Sequence, residues 1–142
     1  MTTPASTLPT LRREFALPED DETHLDARGL PWETIVAPGG RWLLLHQFPV
    51  PAGYNHQTAT VAIQITGGYP TAALDMVYVD PALARTDGRA IGALAAMPID
   101  GKIFQRWSRH RTSGNPWRPG IDDIAAHLAL VEEWFAREFR RG

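Results

Sequence analysis

Apolar and polar positions alternate in short runs through the first half of the chain, and an apolar stripe at helical spacing closes it. In 41–50, Trp42, Leu44, His46 and Phe48 alternate with Arg41, Leu43, Leu45 and Gln47, so both faces of a strand there are largely apolar. The run 59–66 places Val61, Ile63 and Ile65 on one face; 74–81 sets Leu74, Met76 and Tyr78 against Val77 and Val79. A shorter extended piece covers 33–37. Proline and glycine at 38–40, 49–53, 67–70 and 81 punctuate these runs as turns. Four strands on short connections predict an antiparallel meander.

Two helices flank it. Pro18 at a first helical position, acidic residues behind it and Gly29 as a stop predict a helix over 18–27. Ile121, Ile124, Leu128, Val131, Phe135 and Phe139 share one stripe and predict a closing helix over 121–139. Asp122 and Asp123 fall in its first turn, where the helix dipole favours carboxylates. Leu130, Trp134 and His127 make a second, partly apolar face that either packs on the domain, the preferred reading, or accepts a partner, with His127 an interface or core-edge histidine. Between strands and helix, 82–101 has weak periodicity and two Asp-Gly turns. It reads as a long flap loop, followed by a brief extended piece over 102–107. The expected class is α+β, helix packed on sheet, in one domain over 14–142 behind a loose leader over 1–13 rich in Pro, Thr and Ser.

Composition narrows the function classes. Of 142 residues, 44% are hydrophobic and 21% charged, with a net charge of −2, the balance of a soluble globular domain. Nothing global points to nucleic acid or an anionic membrane. No apolar run approaches the roughly 20 residues of a membrane span, and the N-terminus lacks the apolar stretch of a secretory signal. Cysteine is absent, which removes disulfides, thiolate metal sites and a thiol nucleophile, and agrees with a cytoplasmic location. Lys102 is the one lysine among fourteen basic residues. The remaining arginines carry planar forks suited to carboxylates and phosphates.

They gather in Gly101–Asp123, "GKIFQRWSRHRTSGNPWRPGIDD". Arg106, Arg109, His110, Arg111 and Arg118, with Trp107, form a candidate partner-binding edge for an anionic group. The alternative is a loop whose arginines pair with carboxylates of the helices. His110 is the candidate general base, paired with Ser108 two residues before it or with an Asp of the long loop, although a structural histidine bonded to a carbonyl fits the spacing as well. Trp107 and Trp117 are expected to brace the loop against the sheet. No spacing of His24, His46 and His56 reads as a metal site, no phosphate-cradling glycine pattern is present, and no cofactor is implied.

Tyr69-Pro70 after a strand, Asp80-Pro81 after the next, a long loop, Trp117-Arg118-Pro119 and a helix resemble the ubiquitin-conjugating (UBC, or E2) fold. Segments "LPEDD", "PAGYN", "GGYP…LDMVY", "QRWSRHR" and "WRPGIDD…HLALVEEWF" are similar to its prokaryotic family E, over about 17–139. The resemblance implies as partners a ubiquitin-like or multi-ubiquitin-like protein, an E1-like activating enzyme and a JAB-like metallopeptidase. It also implies a catalytic cysteine near Ile103–Trp107, where none stands, and an oxyanion-supporting asparagine where Ala82 stands. A thioester cannot form without the thiol. The expectation is an atypical E2-like protein that acts by binding pathway partners. The alternatives are a cysteine-independent transferase or hydrolase using His110 with its arginines, or a recruiting scaffold.

Overall fold

A computed structural model describes residues 10–140. In chain order the elements are α1 (Glu19–Arg28), β1 (Trp32–Ala37), β2 (Gly40–Pro49), β3 (Thr58–Gln64), β4 (Val77–Asp80), β5 (Leu94–Ile99), β6 (Lys102–Trp107) and α2 (Ile124–Arg137). The α+β class holds. The first four strands form the expected antiparallel meander, but the described sheet has six strands in the order β1-β2-β3-β4-β6-β5. The extra pair is a correction to the long flap loop. Leu94–Ile99 of that loop are β5, which folds back on β6, and β6 pairs with β4.

Two kinks decide which face each apolar side chain meets. Between Leu45 and Phe48 the pairing with β3 shifts, and Gln47 takes φ 58°. This bulge turns Phe48 onto the face of Leu43 and Leu45, away from Trp42 and Leu44. Met76, at φ 59°, does the same ahead of β4: Leu74 joins Val77 and Val79, while Met76 packs beside Tyr78. Strict alternation over these runs, as read from the sequence, therefore fails at both points.

The Leu43 face carries the main core and is covered by both helices, through Leu25 of α1 and Ile124, Leu128, Val131, Trp134 and Phe135 of α2. The opposite face holds a second cluster of Ile35, Trp42, Leu44, Ala62, Tyr78, Ile99 and Phe104. It is closed by the sheet's own curl. Arg12 reaches Glu33 on one outer strand at 2.7 Å and Asp100, in the turn beyond the other outer strand, also at 2.7 Å. Burial would raise the Glu33 carboxyl, but hydrogen bonds from Arg12 and His46 outweigh it and bring it down to about 2. Residues 1–9 of the expected leader lie outside the described residues. Its last two are held, since Arg12 makes this bridge and Arg13 pairs with Thr34 and donates to the Trp32 carbonyl.

Helix limits follow their caps. Pro18 occupies the N-cap of α1 rather than its first turn, and Gly29 closes it in the left-handed region at φ 74°. Helix α2 is shorter than the stripe predicts, because the Asp123 side chain caps it by accepting from the Ala126 N–H at 3.0 Å. Ile121 is left outside and 65% exposed, whereas His127 and Trp134 are buried in edge-on contact. No helix among the described residues is long and apolar enough to cross a membrane.

Leu128 is fully buried where α2 meets the sheet. Leu128→Ala should lower unfolding free energy by about 2–5 kcal/mol in urea titrations, and Ile121→Ala by less than about 0.5 kcal/mol. Equal effects would mean that the helix lies on another face.

Candidate functional site

The segment after β4 is built on two amide side chains. Asn55 accepts from the Ala84 N–H at 2.9 Å and donates to the Ala82 carbonyl at 3.3 Å, while its own backbone N–H donates to the Ala84 carbonyl. Gln105, on β6, accepts from the Leu83 N–H at 2.9 Å and donates to the Leu83 carbonyl at 3.0 Å; its oxygen also accepts from the Trp107 indole at 2.9 Å. Residues 82–84 are thus fixed on both sides. Gly53 lets this happen: it sits at φ 110°, and a Cβ there would lie 2.7 Å from the Phe139 ring. Neighbouring Tyr54 donates to the Phe135 carbonyl at 2.6 Å. The remainder of the expected flap does lie against the arginine segment. Ser108 donates its N–H to the Ala93 carbonyl and Arg109 its guanidinium to the Gly92 carbonyl, both at 3.0 Å.

The six candidate partner-binding residues do not converge on one point. Strand alternation sends Trp107 into the main core and Arg106, opposite Tyr78, toward the other sheet face. Arg109 lies over the Trp107 ring at 5.0 Å and 3.4 Å from Glu138. Arg111 turns inward, 10% exposed, over the Trp117 ring at 4.8 Å and 3.9 Å from Asp122. Arg118 bonds the same carboxylate at 3.2 Å. These bonds, led by that from Arg118, hold Asp122 below its usual range. His110 and Arg118 present most of their side chains outward, each 61% exposed.

His110 donates through Nδ1 to the Asp75 carboxylate at 2.7 Å, and no hydrogen bond joins it to Ser108 among the described residues. A nucleophile–base pair needs that contact. Among the described residues no group of three or more His, Asp or Glu side chains is placed to hold a metal. The arrangement can present charge and accept hydrogen bonds, and carries no assembled acid–base relay at 108–110.

Beside it lies a junction that the sequence reading did not contain. Asp21 of α1, 2% exposed, accepts from the Tyr69 hydroxyl at 2.7 Å and from the Ile124 N–H at 3.2 Å. Burial pushes the Asp21 carboxyl up, against the pull of these two bonds. Trp117 donates its indole N–H to the Pro70 carbonyl at 3.1 Å and packs on Tyr69. The Tyr-Pro and Trp-x-Pro positions are therefore direct neighbours. The missed residues, Asn55, Asp75, Gln105, Asp21 and Glu138, are polar side chains whose partners lie 22 to 103 residues away, except for Gln105's bond to Trp107. Asn55, Asp21, Asp75 and Gln105 stand inside segments that carry the family resemblance, "PAGYN", "LPEDD", "LDMVY" and "QRWSRHR", whereas nothing in the sequence marks Glu138.

His127 is fully buried and bonds the Met76 carbonyl through Nε2 at 2.9 Å, so Nε2 carries the proton and Nδ1 is bare. Burial brings its pKa down to about 4. With a depressed folded-state value, the unfolded chain binds the extra proton first, so this contribution is complete above about pH 6.5 and is lost as pH falls toward 4. The loss should approach roughly 3 kcal/mol, and His127→Gln should flatten that stretch of the stability–pH curve relative to the parent. Gln105→Leu leaves the Leu83 and Trp107 N–H groups without their acceptor. It should cost about 1–3 kcal/mol for each donor that stays buried, and should accelerate exchange of the Leu83 amide hydrogen.

Comparison with known proteins matches residues 17–138 to the family described as Prokaryotic E2 family E. No curated protein and no solved structure matches the chain. The matched span contains both helices, all six described strands and the Tyr69–Trp117 junction. The chain belongs to prokaryotic E2 family E.

Proposed function

We propose that this chain is an atypical E2-like protein of a bacterial ubiquitin-like modification pathway, acting in the cytoplasm by binding its partners rather than by carrying a thioester. The observation behind the reading is the absence of any cysteine in a chain that matches the family over 17–138. The place where the family resemblance implies the nucleophile adds support. Residues 102–107 are strand β6, paired along one side with β4 and along the other with β5, with Phe104 and Trp107 buried. Ladder bonds tie this backbone to β5 along its length and to β4 over 105–107, so it offers a fixed surface.

The partners are a ubiquitin-like or multi-ubiquitin-like protein and the E1-like activating enzyme, with a JAB-like metallopeptidase as a further component of the pathway. Contact falls to the outward groups of 108–118, His110 and Arg118, on a loop braced by Arg109 and Arg111. Exposed guanidinium suits an acidic surface or a terminal carboxylate.

Incubation with activating enzyme, ATP and the ubiquitin-like protein should give a stable complex on gel filtration and no thiol-labile adduct on this chain. Complex formation should weaken with salt and in Arg118→Ala. A covalent band released by thiol would sink the reading. A band resistant to thiol but cleaved by alkali would instead assign an ester-forming hydroxyl.

A further inference from the structure

The sheet face that the helices do not cover carries a hydrogen-bonded row, away from 108–118. Three neighbouring strands contribute one side chain each, Glu33 from β1, His46 from β2 and Thr60 from β3. His46 meets Glu33 through Nε2 at 2.8 Å and the Thr60 hydroxyl through Nδ1 at 3.0 Å. The bulge of β2 falls at this point. Leu45 pairs with Val61 and Phe48 with Ala59, so His46 and Gln47 together stand opposite Thr60. Bulges re-aim side chains and recur beside active sites.

The proton positions follow from the charges. Against its burial, hydrogen bonds from Arg12 and His46 hold the Glu33 carboxyl down at about 2, so it is ionised and accepts. His46 Nε2 therefore carries the proton of that bond. In the neutral ring Nδ1 is then bare, and the Thr60 hydroxyl donates to it. A hydroxyl donating to an imidazole that a carboxylate holds is the arrangement that activates an alcohol for acyl transfer. Thr60 is half-buried and β-branched, so few rotamers are open to its hydroxyl.

All three line a cavity of about 70 Å³, together with Arg12, Asp80, Asp100 and Lys102. Drug-sized sites run to roughly 300–1,000 Å³, so this one has room for a short acyl group only. Its carboxylates, Glu33, Asp100 and Asp80 across from Thr60 on β4, outnumber the cations Arg12 and Lys102. A negative cavity favours a neutral acyl donor over an anionic one. We propose that Thr60 is the nucleophile of an acyl-transfer site for short, neutral acyl esters, with His46 as general base and Glu33 as the positioning residue behind it. Thr60 Oγ1 forms a bond to the acyl carbon as its proton passes to His46 Nδ1. Arg12 is committed to Glu33 and Asp100, which leaves Lys102 to meet the oxyanion. The ester C–O bond then breaks, and the departing alkoxide takes the proton back from Nδ1. Water, activated by the same base, later releases the acyl group from Thr60 as the acid. The site needs neither the family nor a pathway partner.

Incubating the full chain with p-nitrophenyl acetate tests this. Phenolate release should exceed the buffer rate at least tenfold, and acid-quenched samples should carry an acetyl group that peptide mapping places on Thr60. Thr60→Val removes the hydroxyl and keeps the branch; it should lose that excess at least tenfold with its melting temperature nearly unchanged. Thr60→Ser should recover most of the release and carry the ester at the same position, which keeps the test decisive if the valine variant folds poorly. His46→Gln should slow release at least tenfold although Thr60 remains. Mono-p-nitrophenyl succinate, the anionic counterpart, should react several-fold more slowly than the acetate. Release no faster than in buffer, acetyl found only at Lys102 or the N-terminal amine, or undiminished release in Thr60→Val or His46→Gln would overturn the nucleophile. Faster reaction of the succinate ester would overturn the substrate class.

Discussion

A single buried carboxylate organises how the helices sit on the sheet. Asp21 leaves α1, takes the Tyr69 hydroxyl from the turn between β3 and β4, and takes the first N–H of α2. A buried carboxylate left without partners costs several kilocalories or shifts its pKa, so these three elements are obliged to meet. The start of α2 is a favourable place for that charge, because the first N–H groups of a helix lack intrahelical acceptors and the dipole points its positive end there. From this point the rest follows. Trp117 seats on Tyr69 and Pro70, Arg111 lies on Trp117, and the stripe of α2 comes down on the Leu43 face. The Tyr-Pro and Trp-x-Pro positions lie 47 residues apart in sequence and share one hydrogen bond in space.

Apolar periodicity made the meander and the closing helix legible, because each has one face that must be buried. It failed where backbone conformation, not side-chain identity, sets the face. Nothing in "HQF" announces that Gln47 adopts a positive φ, yet that one residue moves Phe48 across the sheet. Strand β5, "LAAMPI", was missed for a different reason. Its alanines and proline carry no strand preference, and it holds its shape by pairing with β6 at the sheet edge, where Pro98 is tolerated because no ladder is required of its outer side. Ile121 continues the stripe arithmetically, but Asp123 caps the helix after it and the stripe loses its first member.

The arginine segment was conspicuous in sequence for its density, and density along a chain is not convergence in space. A strand sends neighbours to opposite faces, so Arg106 and Trp107 part at once. Beyond the strand, Arg109 and Arg111 follow different carboxylates, Glu138 and Asp122, at opposite ends of α2. No local pattern could have named either partner. The pairing of these arginines with acidic residues around the last helix, one of the two readings open from sequence, describes Arg109, Arg111 and Arg118 well. His110 pairs instead with Asp75, and both it and Arg118 keep most of the side chain turned outward.

Net charge conceals the last feature. At −2 the chain is nearly neutral, but its charges are sorted along α2. Asp21, Asp122 and Asp123 gather at the N-terminal end of the helix, and Arg85, Arg89, Arg109 and Arg137 at the C-terminal end. Asp21 and Asp123 accept from the N–H groups of Ile124 and Ala126 at one pole of α2, and Arg85 donates to the Glu138 carbonyl at the other. The sorting therefore has a structural cause before it has a functional one. Its consequence is a domain close to neutral as a whole whose two ends differ only in the balance of their charges, since Arg111 and Arg118 meet Asp122 at the first and Glu138 meets Arg109 at the second.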